Sequence, residues 1–313
     1  MNRPLEVQVV ILCGGAGSRL WPLTAERSKP LVDITSQENL LDGTIRRATL
    51  LSSRDPVLVT TVNHPLPSSY DRYPQICEPY LNDTGVAMAR VALHFLDQDP
   101  VIIVMMPADH YIGNESQYID DITTALNQYE DGITLIGILP TSPSTVYGYI
   151  MERDGHVVFQ EKPSRDRATD LINRGGYWNS GMVIVNSKTL YDALPPSLVQ
   201  AATIPGPGKY PSFDVAVLQN YPRLKLFRSN EWGWSDVGSW SQLLQVVDSP
   251  HSYHHRHSDE VKCYNSMGME IMIVGVSEPL IVVTHCNRLL ILHPEYESSY
   301  KDLVTRLTDS TTL

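Results

Sequence analysis

Short apolar runs alternate with longer amphipathic stretches through the first half of the chain. Runs of strand length occupy residues 7–12, 57–62, 101–106 and 133–139. Stretches with helical spacing lie between or after them, at residues 39–52, 84–96 and 116–129. Strands that alternate with helices in this way are typical of a parallel sheet. The pattern predicts an α/β, Rossmann-like fold with a mostly parallel central sheet.

The spacing of apolar residues changes after Tyr147, where short strand-like segments are separated by glycines. The segments YGYI, HVVFQEKP and GYWNSGMVIV predict a β-rich insertion that forms one wall of a cleft, followed by a helix at 187–194. Further along, a polar linker precedes strand-like pieces within 269–292 and a helix-like stretch at 296–307. We expect a main domain at 1–250 and a linker with a small β-rich extension at 251–313.

The net charge and the positions of the cysteines argue against several classes of protein. The 313-residue chain has a formal net charge of −11, so it lacks the basic field that holds nucleic acid or an anionic membrane. Its four cysteines lie far apart without a C-x-x-C pair, which argues against a zinc ribbon or a disulfide framework. No apolar run is long enough to span a bilayer. We expect a soluble cytoplasmic protein.

A small-residue turn, CGGAG, follows the first predicted strand directly. Backbone N–H groups in such a turn can approach a polyanion because few Cβ atoms stand in the way, and Arg19 and Lys29 supply cations nearby. Ligands of open parallel sheets bind beyond the carboxyl ends of the strands. The dinucleotide fingerprint fails because Leu20 replaces its third glycine, and no G-K-[ST] follows as in a Walker loop. A nucleotide phosphate chain is the expected ligand, with a plain structural turn as the alternative.

Two aspartates indicate a metal site. Asp109 follows the apolar strand VIIVMM, and Asp236 lies in a loop rich in tryptophan and glycine. Two carboxylates beside a phosphate chain suit Mg²⁺, which takes one or two protein carboxylates together with phosphates and waters. The alternative for Asp109 is a helix cap. A second candidate metal site, formed by consecutive histidines in the polar linker, is more typical of a solvated loop; these residues are His251, His254, His255 and His257.

A third group of polar residues, Glu161, Lys162 and Asn179, lies among aromatics and glycines in FQEKP and WNSG. Glu161 and Asn179 can hydrogen-bond sugar hydroxyls while Lys162 neutralises a phosphate on the same ligand. A solvated surface pair is the alternative for Glu161 and Lys162.

Six motifs together carry a family resemblance: GGAGSRLWPLT, MPADH, PSTVYGYI, FQEKP, WNSGM and GWSDVGSW. In this order and spacing the chain resembles the sugar-1-phosphate nucleotidyltransferases, most of all the bacterial-type mannose-1-phosphate guanylyltransferases. The resemblance implies a GT-A-like nucleotidyltransferase domain at 1–250, a sugar-binding role for the insertion, and an extension used in a homodimer. Many long members carry a C-terminal isomerase domain, for which this chain has no room, so no isomerase activity is expected.

The resemblance also implies residue roles. Arg19 and Lys29 would bind the triphosphate, Asp109 and Asp236 the Mg²⁺, and Lys162 the sugar phosphate. The remaining contacts would come from Gly14, Gly15 and Gly17 in the phosphate loop and from Gly148, Glu161 and Asn179 at the sugar. In that family an oxygen of a sugar 1-phosphate attacks the α-phosphorus of a nucleoside triphosphate and releases pyrophosphate. Catalysis then needs in-line positioning and charge neutralisation rather than a protein nucleophile.

Glu78 is the residue from which the base of the nucleotide can be predicted. In the family's base-binding segment, which ends here with Asn82, Thr84 and Gly85, thymidylyl and uridylyl enzymes tend to place Gln at this position. An ionised carboxylate only accepts hydrogen bonds, which matches the N1–H and N2–H₂ donors of guanine. The alternative is that Glu78 caps the helix that begins near Asn82.

Two departures from the family pattern, Pro30 and Val146, affect the predicted sugar wall. The primary interpretation is GTP plus α-D-mannose 1-phosphate giving GDP-mannose and pyrophosphate. One alternative is a guanylyltransferase for another sugar-like phosphate: a manno-heptose, fucose or cyclitol phosphate. The other is a catalytically silent regulatory homologue.

Overall fold

The computed structural model describes residues 6–15, 17–34, 38–80, 82–247, 254–256, 260–297, 299–300, 302–304 and 306. The chain divides into two compact units. The first, called the sheet unit, comprises Met1–Gly14, Thr44–Ala108 and Ile112–Trp234. The second, called the loop unit, comprises Gly15–Gly43, Asp109–Tyr111 and Ser235–Leu313. The domain boundary predicted at residue 250 stays a prediction.

A mixed sheet of nine strands organises the sheet unit. Its strands are β1 Val7–Leu12, β2 Val57–Thr61, β3 Gln75–Glu78, β4 Ile102–Pro107, β5 Ile133–Ile138, β6 Tyr149–Arg153, β7 His156–Gln160, β8 Tyr177–Asn186 and β9 Leu224–Arg228. The main path runs β3-β2-β1-β4-β8-β5-β9. Parallel pairing joins β3, β2, β1 and β4, and also β5 and β9, whereas β8 is antiparallel to β4 and to β5. The predicted α/β fold with a mostly parallel sheet is confirmed.

Helices connect these strands near the predicted positions. They are α1 Leu40–Leu51, α2 Thr84–His94, α3 Glu115–Asn127, α4 Arg165–Asn173, α5 Ser187–Ala193, α6 Pro196–Thr203 and, in the loop unit, α7 Trp240–Val246. Asp83 caps α2 by accepting a hydrogen bond from Thr84 N, and Asn114 caps α3 through Gln117 N. Within the part of the chain that the structure describes, no helix has both the length and the apolar composition needed to cross a membrane.

Strand β8 has two roles that the sequence pattern does not separate. Its start pairs with β6, which forms a hairpin with β7, as expected for the β-rich insertion. The remainder of β8 lies between β4 and β5 in the centre of the sheet, where Ile184 and Val185 are fully buried. The predicted insertion therefore shares this strand with the main sheet.

The loop unit has a smaller sheet of its own. Strands β11 Val261–Asn265, β13 Leu280–His285 and β14 Arg288–Leu292 form a three-stranded sheet, and β10 His254–Arg256 pairs with β12 Met272–Val274. The strand-like pieces predicted within 269–292 match β12, β13 and β14. The described residues from 260 onward are called the tail below. Residues 302–304 of the predicted last helix are helical, whereas Leu307, like His251 and His257 of the His-rich segment, lies outside the described residues.

One hydrophobic core joins the tail to the start of the loop unit. Leu20 and Leu23, near the beginning of the chain, share this core with Trp240, Ile281 and Tyr300. All but Leu23 are at most 5% exposed. The tail therefore packs against the segment that carries Arg19 and Lys29.

Candidate active site

Gly17 shapes the phosphate loop of the loop unit. Its backbone has φ 63°, a left-handed conformation that favours glycine, and its carbonyl accepts a hydrogen bond from Thr24 Oγ1 at 3.0 Å. A Cβ atom at Gly17 would lie 2.5 Å from Cβ of Lys29. The backbone of Gly15 also has a positive φ, at 124°. Gly14 belongs to the sheet unit, where it lies shortly after the end of β1. Gly17 thus permits the loop to pass directly over the Lys29 side chain.

Lys29 is the best-buried cation predicted for the site. The residue is 7% exposed and begins the 3₁₀ turn Lys29–Leu31. Its Nζ donates to Oδ2 of Asp109 at 2.7 Å and to the backbone carbonyl of Asp236. One ammonium group therefore ties together both residues predicted to hold a metal.

The approach of Asp109 and Asp236 has a backbone cause. Tyr111 and Ser235 form an isolated antiparallel bridge, with N–O distances of 2.9 and 3.1 Å. This bridge aligns the segment after β4 with the segment before α7. The Asp236 carboxylate also accepts from Gln242 Nε2 at 2.7 Å, so a residue of α7 orients it.

The chemistry of this donor set fits a hard divalent cation. Burial alone would raise the pKa of Asp109, but Lys29 and His110 outweigh it and hold that pKa below its usual value, so the carboxylate is ionised. Asn114 caps α3, so the interpretation of Asp109 as a helix cap is wrong. Among the described residues, no group of three or more His, Cys, Asp or Glu side chains could hold a metal ion. The Tyr111–Ser235 bridge holds the backbones of Asp109 and Asp236 near each other, and two carboxylates completed by phosphate oxygens and water would suit Mg²⁺.

The backbone around Arg19, one of the two predicted triphosphate cations, accepts hydrogen bonds from side chains much later in the chain. Arg19 lies in the 3₁₀ turn Ser18–Leu20, and its carbonyl oxygen accepts a hydrogen bond from the Tyr300 hydroxyl. Trp240 Nε1 donates to the carbonyl of Trp21 at 3.1 Å. Residues distant in sequence thus fix the backbone on both sides of Leu20.

In the sheet unit, Glu78 ends β3 with a buried carboxyl group. The residue is 3% exposed, and no donor among the described residues reaches its Oε1 atom or Oδ1 of Asn82. Burial raises the pKa of Glu78 to about 7, partly opposed by Arg90. Asp83, rather than Glu78, caps α2, so the capping alternative for Glu78 is wrong. Two buried acceptors without donors are costly unless a ligand supplies donors.

Thr84 and Gly85 contact a second segment of the sheet unit. Thr84 Oγ1 accepts a hydrogen bond from Phe213 N at 3.0 Å. A Cβ atom at Gly85 would lie 2.3 Å from the carbonyl oxygen of Pro211. Both residues hold the 211–213 segment against the start of α2, and their predicted contact with a nucleotide stays a prediction.

The three predicted sugar-binding residues lie together. Asn179 N donates to the carbonyl of Gly148 at 2.8 Å, and a Cβ atom at Gly148 would lie 2.9 Å from Glu161 Oε2. Glu161 forms an ion pair with Lys162 at 2.6 Å, in which the Glu161 side chain is 17% and the Lys162 side chain 60% exposed. Because Glu161 is mostly buried, the pair differs from an ordinary solvated surface pair. Lys162 is the member that can reach a phosphate from solvent.

Asp214 is a member of this cluster that sequence reasoning missed. It begins a π-helical turn, Asp214–Leu218, and its Oδ1 accepts from Nδ2 of Asn179 at 2.9 Å. Burial and the nearby Glu161 raise the pKa of Asp214 to about 6. The signal in the sequence is a single carboxylate inside the apolar run FDVAVL.

The structure therefore forms two groups of predicted residues, one in each unit. The phosphate and metal residues Gly15, Gly17, Arg19, Lys29, Asp109 and Asp236 belong to the loop unit. The base and sugar residues Glu78, Asn82, Thr84, Gly85, Gly148, Glu161, Lys162 and Asn179 belong to the sheet unit, with Gly14.

Comparison with known proteins gives a consistent family. Residues 8–251 match the family described as nucleotidyl transferase. A relative from Vibrio cholerae serotype O1 is 32% identical over an alignment of 281 positions, which covers 76% of this chain and 60% of the relative. A Klebsiella pneumoniae protein named mannose-1-phosphate guanylyltransferase is 30% identical over a gapped alignment of 349 positions, which covers 94% of this chain and 72% of the relative.

A solved structure is similar over nearly the whole chain. It is a crystal structure from Thermus thermophilus, named mannose-1-phosphate geranyltransferase, with a TM-score of 0.79 and 25% sequence identity. The match covers 97% of this chain and 99% of that one. The similarity includes the tail as well as the central sheet.

Proposed function

Because the chain belongs to the nucleotidyl transferase family, we propose that it converts GTP and α-D-mannose 1-phosphate into GDP-mannose and pyrophosphate. Relatives named mannose-1-phosphate guanylyltransferase, matched over more than nine-tenths of the chain, support this activity. A homodimer and a cytoplasmic location stay predictions.

The observation that carries the choice of GTP is the buried carboxyl group of Glu78. Its Oε1 and Asn82 Oδ1 are buried acceptors that no described donor reaches. Guanine presents adjacent N1–H and N2–H₂ donors, whereas a uracil or thymine edge places acceptors on both sides of one donor. A buried carboxylate therefore favours guanine and opposes the pyrimidines.

The proposed reaction needs no covalent step on the protein. A phosphate oxygen of the sugar 1-phosphate forms a bond to the α-phosphorus of GTP, and the bond from that phosphorus to the β-bridging oxygen breaks. Arg19 and Lys29 neutralise the triphosphate, and Lys162 binds the sugar phosphate. Gly148, Glu161 and Asn179 orient the sugar.

Asp109 and Asp236 would hold Mg²⁺ through their carboxylates. When bound, the ion withdraws charge from the phosphate oxygens around the α-phosphorus. Gln242 keeps the Asp236 carboxylate oriented for this role.

The test is pyrophosphate release in the presence of Mg²⁺ from each pairing of four triphosphates with four sugar phosphates. GTP, ATP, UTP and dTTP are combined with the 1-phosphates of mannose, glucose, fucose and manno-heptose, and Asp109→Asn is the control. Turnover confined to GTP with mannose 1-phosphate is expected. Turnover with GTP and another sugar would contradict the choice of sugar, and no turnover in any pairing would contradict the proposed activity.

A further inference from the structure

The Asn179 amide is held at both of its polar atoms. Its Nδ2 donates to Asp214 Oδ1 at 2.9 Å, and its Oδ1 accepts from Gly181 N at 3.2 Å. An amide group is nearly symmetric in shape, so hydrogen bonds decide which end presents oxygen and which presents nitrogen. The Asp214 carboxylate can only accept when ionised, so it requires the nitrogen end of Asn179 to face it.

Asp214 itself is fixed from a different part of the unit. Phe213 N donates to Thr84 Oγ1 at 3.0 Å, and Val215 N donates to Ser212 Oγ at 3.3 Å. The residues on both sides of Asp214 are therefore anchored, one of them to the start of α2. A carboxylate on a fixed backbone can position its partner more accurately than one on a mobile loop.

We propose that Asp214 is a positioning residue for the sugar: it sets the orientation of the Asn179 amide, so that the remaining N–H and oxygen lone pair of Asn179 meet sugar hydroxyls in one fixed arrangement. This inference rests on the proposed function. Loss of the carboxylate would leave the amide held only at its oxygen, by Gly181 N at 3.2 Å, so binding of the sugar phosphate would have to supply the rest of the ordering.

The charges around Asp214 make the position sensitive to pH. Burial, Glu161 and Asp83 raise its pKa to about 6, and Lys162 lowers it. Below that pH the carboxyl group is neutral, so the Asn179 N–H loses a charged acceptor and its hydrogen bond weakens. The sugar phosphate also titrates near pH 6, so the wild-type profile has to be compared with that of a variant.

Two substitutions separate the roles of the acceptor and the charge. Asp214→Ala removes the acceptor and is expected to raise KM for mannose 1-phosphate about tenfold, because about 1.4 kcal/mol of hydrogen bonding is lost. Its KM for GTP is expected to stay within about twofold. Asp214→Asn keeps an acceptor oxygen, so its KM for the sugar phosphate is expected to rise no more than about threefold.

The pH profile is the second measurement. From pH 7.5 to 5.5, at saturating GTP, KM for mannose 1-phosphate is expected to rise more steeply in the wild type than in Asp214→Asn. Asp192→Asn, at a half-exposed carboxylate on α5, is the matched control and is expected to match the wild type. Urea unfolding of each variant checks that the fold is retained.

Three results would overturn the inference. The first is an Asp214→Ala variant whose KM for the sugar phosphate equals that of the wild type. The second is an Asp214→Ala variant in which KM for GTP and KM for the sugar phosphate rise equally, because that result indicates a general structural role. The third is a pH profile for Asp214→Asn that coincides with the wild-type profile. Absence of turnover in the wild type itself would instead contradict the proposed function.

Discussion

The ammonium group of Lys29 lies 2.7 Å from Oδ2 of Asp109, and the Lys29 side chain is 9% exposed. The cation predicted to bind phosphate and the anion predicted to bind metal are therefore partners of each other in the free protein. A triphosphate with its divalent cation would give each of them a new partner of opposite charge. On the protein side, binding then exchanges one ion pair for two, and the Lys29 side chain has already lost most of its contact with water.

Lys29→Met tests the importance of this pair. The substitution keeps most of the side-chain volume but leaves the Asp109 carboxylate without its cation. We expect kcat to fall about 100- to 1,000-fold, because the charge that stabilises the transferring phosphates is lost. We also expect the free energy of unfolding to fall by about 1–3 kcal/mol, since a poorly exposed carboxylate loses its partner.

Lys188→Met is the matched control for that variant. Lys188 pairs with Asp192 at 2.9 Å, but the two side chains are 71% and 55% exposed. An exposed ion pair contributes about 0–1 kcal/mol, so activity and stability should both remain close to the wild type. Equal losses in the two lysine variants would show that Lys29 has no special role.

Glu78→Gln should weaken the preference for guanine. A neutral amide presents one donor where guanine offers donors, so a charge-assisted hydrogen bond is lost. The ratio of kcat/KM for GTP to kcat/KM for UTP is expected to fall about 10- to 100-fold. Glu130→Gln, at an exposed carboxylate, should leave the ratio unchanged. An unchanged ratio in Glu78→Gln would remove the argument for base selection.

The raised pKa of Glu78 predicts a pH dependence of nucleotide binding. With a pKa of about 7, Glu78 is mostly protonated at pH 6 and mostly ionised at pH 8. KM for GTP is therefore expected to fall as pH rises through this range, and Glu78→Gln should lose that part of the pH dependence.

The stability of the ligand-free protein should change with pH in the unfavourable direction. Burial favours the protonated form of Glu78, so the free energy of unfolding should decrease as pH rises from 4.5 to about 7. Urea titrations of wild type and Glu78→Gln measure that difference.

Gly148→Ala should impair the sugar site while sparing the nucleotide site. The added methyl group would lie 2.5 Å from Cζ of Phe159 and 2.9 Å from Glu161 Oε2, so the Glu161 carboxylate has to move. We expect KM for mannose 1-phosphate to rise about 10-fold or more, with KM for GTP nearly constant. Gly206→Ala, where a Cβ atom meets nothing within 4 Å, is the control. A wild-type KM in Gly148→Ala would exclude Glu161 from the sugar site.

Tyr300→Phe tests whether the tail supports the phosphate loop. The Tyr300 hydroxyl donates to the Arg19 carbonyl, and the residue is 5% exposed. Removing the hydroxyl should cost about 1 kcal/mol of stability and raise KM for GTP about threefold, because the Arg19 backbone becomes less well fixed. Tyr296→Phe, at a residue that is 60% exposed, should show neither effect.

Much of the sheet could be predicted because its strands are continuous apolar runs bounded by polar residues. The direction of β8 could not, since MVIV is buried on both faces and such a run looks the same in parallel and antiparallel positions. Strand β3 is not evident from the sequence because it has only four residues, of which Gln75 and Cys77 are exposed.

The site residues could be predicted where a local motif marks them, as for Lys29 and Asp109. Asp214 carries no such mark, because its significance comes from an Asn179 side chain 35 positions away. The pairing of Tyr111 with Ser235, which brings the two aspartates together, likewise depends on tertiary structure. Sequence reasoning found the chemical groups, whereas their mutual contacts needed the fold.

The Tyr300–Arg19 hydrogen bond joins residues 281 positions apart, within a core that also contains Leu20, Tyr264 and Ile281. During synthesis the phosphate loop is made early, whereas the residues of this core that cover it are made more than 200 positions later. Because contacts between distant residues form slowly, the loop unit should acquire its structure only after translation of the tail. Chains that stop short of residue 264 would carry every predicted catalytic residue and still lack the core that holds Arg19 in place.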